Sequence, residues 1–196
     1  MRSVLVVVAP VSRLEGRPNY FELFGLRSRF ELDRTALERK FYELSRALHP
    51  DRFVAAGPEA LRVSLEKMSE LNQAYRVLKD PALLRDYFLK LEGFDVQTGS
   101  QIPMELAESW FELQDVLMES PAIAAQRVTE FEMELARLSQ KSNQDVLALE
   151  QRIDLASEAT GSAPRELLES LAREIRTQNY LVSLERDVER IKRKLK

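Results

Sequence analysis

His49 is the only histidine in a chain of 196 residues, and the chain has no cysteine. Disulfide frameworks, zinc fingers, thiolate iron–sulfur sites and cysteine nucleophiles are thereby excluded. None of the six glycines precedes a Lys-Ser/Thr pair or repeats as G-x-G-x-x-G, so the sequence offers no phosphate-cradling loop. As a general base His49 is poorly placed, since Pro50 follows it directly and the chain has no G-x-S-x-G elbow. The thirty-two acidic residues fall mostly on polar helix faces, where a pair of carboxylates reads as solvated surface. The residues argue against an enzyme and against a resident metal or cofactor. The remaining chemistry is the tripeptide His49-Pro50-Asp51, whose meaning depends on the elements that hold it.

Asp33 is a suitable N-cap, and Leu37, Phe41, Leu44 and Leu48 recur at spacings of four, three and four, which predicts one apolar stripe on a helix. Pro50 ends that helix. After a loop from His49 to Gly57, Pro58 suits a first helical turn, and Leu61, Leu65, Met68, Leu71, Tyr75 and Leu78 mark a second long helix. The pair forms a helical hairpin with the tripeptide in its exposed loop. On the side of the first helix opposite the stripe lie Arg39, Tyr42, Glu43 and Arg46, with Lys40 at the flank. Taken singly, these cations are ordinary solubilising charges.

Before the hairpin, Asn19 caps a short helix from Tyr20 to Phe24 that Gly25 stops. After it, Asp80-Pro81 opens a helix carrying Leu83, Leu84, Tyr87, Phe88 and Leu91, ended by Gly93. Residues 93–102 are the best linker in the chain, so the expected division is an extension over 1–18, an N-terminal domain over 19–92 and a helical domain over 103–196. In the last of these, Pro103 to Glu119 carries Leu106, Trp110, Leu113 and Leu117. Pro121 to Thr160 carries Val128, Phe131, Leu135, Leu138, Val146, Leu149 and Ile153, with Ser139 to Asn143 as its weakest stretch. Pro164 to Leu195 carries Leu168, Leu171, Ile175, Leu184, Val188, Ile191 and Leu195. These spacings predict an antiparallel three-helix bundle, and the whole chain reads as all-α.

With 44% hydrophobic and 31% charged residues, the sequence is too apolar for disorder. Residues 1–96 hold 16 Lys and Arg against 14 Asp and Glu; residues 97–196 hold 13 against 18. Neither half has the basic balance of a nucleic-acid binder, and the contrast between them suggests different partners. The longest apolar run, Val4 to Val8, falls far short of the roughly 18–20 residues that cross a bilayer. Residues 1–18 read as a short strand or a disordered extension.

Three segments together resemble a J-domain: Asn19-Tyr20-Phe21-Glu22-Leu23-Phe24-Gly25-Leu26, Leu44-Ser45-Arg46-Ala47-Leu48-His49-Pro50-Asp51-Arg52-Phe53, and Leu71-Asn72-Gln73-Ala74-Tyr75-Arg76-Val77-Leu78. More narrowly, Leu84-Arg85-Asp86-Tyr87-Phe88-Leu89-Lys90-Leu91-Glu92-Gly93-Phe94-Asp95 is similar to the end of the J-domain in the HscB family, co-chaperones of iron–sulfur cluster assembly. The resemblance implies a J-type co-chaperone that stimulates a DnaK/HscA-type ATPase through His49, Pro50, Asp51, Arg39, Lys40, Arg46 and Arg52. It implies no cofactor or metal of its own. It also implies an IscU-type scaffold as client, held through an apolar patch flanked by acids on the first and last helices of the bundle. Here that maps to Ala107, Phe111, Glu112, Asp115 and Tyr180, with bundle packing an equal alternative for Tyr180.

Where general J-domains carry a denser row of lysine and arginine, this chain has Glu38, Tyr42, Glu43 and Ala47, which implies a specialised chaperone partner. Bacterial members imply the cytoplasm, a eukaryotic one the mitochondrial matrix. Two other readings stay open at this point: a J-protein with an unrelated client, and a helical scaffold or adaptor in which the tripeptide is accidental.

Overall fold

The computed structural model describes residues 19–96, 104–119 and 121–195; the expected extension over 1–18 and most of the expected linker lie outside them. Seven α-helices and two 3₁₀ turns make up the described residues, and no strand occurs among them. The helices are α1 (Tyr20–Phe24), α2 (Arg34–Leu48), α3 (Pro58–Lys79), α4 (Pro81–Leu91), α5 (Met104–Glu119), α6 (Pro121–Thr160) and α7 (Arg165–Leu195). They form two compact units: one holds the chain up to Phe94 together with Asp154–Ser162, the other Asp95–Ile153 together with Ala163 onward.

Local signals start and stop the helices of the first unit. Asn19 and Glu22 form a reciprocal capping box on α1, with the Glu22 N–H donating to Asn19 Oδ1 at 2.9 Å and the Asn19 N–H to Glu22 Oε2 at 3.0 Å. Gly25 ends α1 at φ 63°, a left-handed conformation that glycine adopts without a Cβ penalty. The Asp33 carboxylate accepts the Ala36 N–H at 3.0 Å, and that of Asp80 accepts the N–H groups of both Ala82 and Leu83.

Three contacts show that α2 and α3 run antiparallel. The Arg34 guanidinium donates to the Lys79 carbonyl, the Phe41 ring stacks on Tyr75 at 4.2 Å, and the Ser64 hydroxyl donates to the Leu48 carbonyl at 2.7 Å. Inside, Phe21, Phe24, Leu37, Leu71, Ala74, Leu78, Leu84, Phe88 and Leu89 are buried. One member of the predicted α3 stripe does not belong to it: Leu65 is exposed, and its neighbour Ser64 is the buried residue. The reason is the end of α2, whose last carbonyls have no partner within the helix. A small hydroxyl at 64 lets the two backbones approach and supplies a donor.

The segment between α1 and α2 is held by the tip of the α6–α7 hairpin. Asp154, only 6% exposed, accepts the backbone N–H groups of Phe30 and Glu31 at 2.9 Å each. Arg29 pairs with Glu158 at 2.9 Å, and the Phe30 ring lies 4.4 Å from that of Phe88.

In the second unit Leu106, Leu113, Val128, Phe131, Leu135, Leu181, Leu184 and Val188 form one buried cluster, with Trp110, Leu117, Leu138, Tyr180 and Ile191 packed against it. Gln178 with Asn143, Glu185 with Ser139 and Lys192 with Glu132 pair α7 antiparallel to α6, and Arg127 with Glu112 ties α6 to α5. The stretch from Ser139 to Asn143 is helical throughout.

Candidate functional site

The tripeptide sits where α2 stops. His49 is the C-cap, with extended backbone (φ −60°, ψ 129°), because the residue before a proline is pushed out of the helical region. Pro50 to Arg52 then form a 3₁₀ turn that carries the chain away from the helix axis. The Asp51 N–H donates to His49 Nδ1 at 3.3 Å, an acceptor role open to the neutral ring when its proton is on Nε2. Asp51 Oδ2 also lies 3.5 Å from Nδ1, a contact that becomes attractive only when the ring is protonated. The Asp51 side chain is 88% exposed and that of His49 52%. A carboxylate so placed has given up almost none of its capacity to bind a cation.

The predicted cations play unequal parts. Arg52 donates to the Arg46 carbonyl at 3.2 Å, which fastens the turn to the last turn of α2. Lys40 pairs with Glu43 at 3.0 Å and is partly neutralised. Arg39 and Arg46 are exposed and make no ion pair among the described residues. They are seven residues apart on one face, about 10 Å along the axis. The structure thus brings Arg46, His49, Pro50, Asp51 and Arg52 together at one end of the hairpin. Arg39 lies two turns back, and Lys40 is turned to the flank.

On α5, Phe111 is exposed to 68%, and Asp115 one turn on is exposed too. Ala107 is half-buried, and Glu112 pairs with Arg127 at 3.3 Å. Tyr180 packs against the bundle core and is half-buried, and burial raises its hydroxyl above the usual tyrosine range. Met104 and Met118, both exposed, were not among the predicted residues. Their signal was present, because Met104, Phe111 and Met118 are each seven residues apart and so share one face. Similarly, nothing in the helical pattern singled out Ser64, which anchors the end of α2 beside the tripeptide.

A helical hairpin that ends in an exposed His-Pro-Asp turn, followed by an α-helical bundle, defines the class of J-type co-chaperones. No protein-family model matches the chain. Curated relatives do. It is 35% identical over 165 residues to the co-chaperone protein HscB homolog of Bordetella petrii, covering 80% of this chain and 94% of the relative. It is 31% identical over 182 residues to the HscB homolog of Vibrio vulnificus strain YJ016, covering 90% and 98%. Among solved structures, the chaperone HscB from Vibrio cholerae superposes with a TM-score of 0.54 at 28% identity, covering 91% of this chain and all of that one. The human co-chaperone HscB shares the fold with a TM-score of 0.57 at 21% identity, over 90% of this chain and 83% of that one.

The chain belongs to the HscB co-chaperone family. That family consists of non-enzymatic ATPase activators that work with an HscA-type chaperone and an IscU-type scaffold in iron–sulfur cluster assembly. No helix among the described residues is long and apolar enough to cross a membrane.

Proposed function

We propose that this chain docks on a DnaK/HscA-type chaperone ATPase through Arg39, Arg46, His49, Pro50, Asp51 and Arg52, with Lys40 at the flank, and carries an IscU-type scaffold on α5. The observation that carries the first half is the exposure of Asp51 on a turn whose base is pinned by Arg52 and Ser64. Arg39 and Arg46 steer the encounter through long-range attraction that salt screens. Asp51 then competes for an arginine in the partner's interdomain contact, with Pro50 fixing the turn and His49 packing beside it. The energy comes from the partner's ATP, and this chain supplies preferential binding to one of the partner's conformations, which is what shifts an equilibrium.

For the client half, the support is the exposed face Met104, Phe111 and Met118 with Asp115 among them, an apolar stripe edged by acid. Tyr180, half-buried on the bundle, contributes its exposed edge. As for bacterial relatives, the setting is the cytoplasm.

Chaperone ATPase rates test the first half: wild type accelerates hydrolysis, and His49→Gln leaves it at the basal rate. Stimulation by His49→Gln equal to wild type would reject this reading. Calorimetry of the full chain with an IscU-type scaffold tests the second. Phe111→Ala with Met118→Ala weakens binding about tenfold or more, as truncating a central anchor does; undiminished affinity places the client elsewhere.

A further inference from the structure

Of the fifteen aromatic residues in the chain, thirteen are buried or half-buried. The two exposed ones are Phe111 on α5 and Tyr42 on α2, the latter 53% exposed. Tyr42 lies three residues after Arg39 and four before Arg46, so the three share one face of the helix, continuous with the His49 turn. It is also braced from below. Its ring meets Phe41 edge-on at 5.6 Å, and Phe41 stacks on Tyr75 across the hairpin. A large ring held this way loses little freedom on binding, since tyrosine has only two side-chain torsions to fix. Leaving it in water while thirteen of the fifteen aromatics are packed exposes apolar surface that folding alone does not explain.

We infer that Tyr42 is the apolar anchor of the chaperone contact, set between two arginines that make no ion pair among the described residues, and that it takes up part of the role of the missing lysine–arginine row. This inference rests on the docking surface proposed above. The partner surface it fits is acidic around a shallow apolar recess: carboxylates for Arg39 and Arg46, and an uncharged hollow for the ring. An aromatic centre flanked by arginine is the composition in which binding energy concentrates at protein interfaces. A chaperone whose docking site is uniformly acidic, suited to a lysine row, offers the ring no recess, so Tyr42 acts as a specificity residue.

The test is a titration of HscA-type chaperone ATPase rate against full-length co-chaperone at several salt concentrations. Tyr42→Ala is expected to raise the half-saturating concentration about tenfold or more at every salt concentration while leaving maximal stimulation intact. Tyr42→Phe stays within about threefold of wild type because it keeps the ring. Arg46→Ala flattens the salt dependence, and Tyr42→Ala leaves its slope unchanged. A Tyr42→Ala curve that overlays wild type, while His49→Gln abolishes stimulation, overturns the anchor alone. Wild-type stimulation by His49→Gln removes the docking surface and the anchor with it. Equal weakening by Tyr42→Phe and Tyr42→Ala assigns the effect to the hydroxyl and likewise overturns an apolar anchor.

Discussion

At its N-terminal end α2 is entered from a segment whose backbone is held by a buried carboxylate 124 residues away in the chain, Asp154 on the N–H of Phe30. At its C-terminal end it gives way to a turn held by residues of its own hairpin, with Ser64 and Arg52 on the last carbonyls and the side chains of His49 and Asp51 in water. The difference separates what keeps the helix in place from what the helix presents. Buried hydrogen bonds to a charged group make one end costly to disturb. Exposed groups with few partners leave the other end free to bind something else, at little cost to the fold.

Changes at the two ends should therefore part in kind as well as in size. Asp154→Ala removes the acceptor for two backbone donors and leaves them in a partly buried site, which is expected to cost about 2–3 kcal/mol of stability. Denaturant titration measures it, and a loss below about 0.5 kcal/mol breaks the comparison, because that is the cost of an ordinary surface change. Ser64→Ala is next, at about 1–2 kcal/mol, since it leaves the Leu48 carbonyl without the hydroxyl that caps it. Amide exchange sharpens this prediction: protection is expected to fall in the last turn of α2 and to persist around Leu37, buried in the middle of the core.

How much of this was legible in the sequence depended on distance along the chain. Asn19, Asp33 and Asp80 cap the helices they precede, and Pro50 and Pro58 bound the loop they were expected to bound, because capping acts over three or four residues. The amphipathic stripes placed Leu37, Leu71 and Leu78 inside. Leu65 failed the same rule, since a leucine at the right spacing looks apolar whether or not a neighbouring backbone needs the space for a hydroxyl. The hold of Asp154 on Phe30 and Glu31 leaves no local trace, for only the tertiary fold brings residues so distant together. At the candidate site the tripeptide and its cations could be read directly. That Lys40 is spent on Glu43, while Arg39 and Arg46 are free of ion pairs among the described residues, follows from rotamers rather than from spacing. The exposed face of α5 was half visible: Phe111 stood out, whereas the seven-residue recurrence of Met104 and Met118 is ambiguous because methionine serves equally well in a core.

In the function proposed above, the exposed turn acts on the chaperone and the buried carboxylate only holds the fold. Maximal chaperone ATPase stimulation at saturating co-chaperone, measured side by side for His49→Gln and Asp154→Ala below the melting transition of each, tests it most directly. His49→Gln is expected to melt like wild type yet stimulate no hydrolysis, whereas Asp154→Ala is expected to melt earlier and stimulate fully. Full stimulation by His49→Gln, or its loss in folded Asp154→Ala, would contradict it.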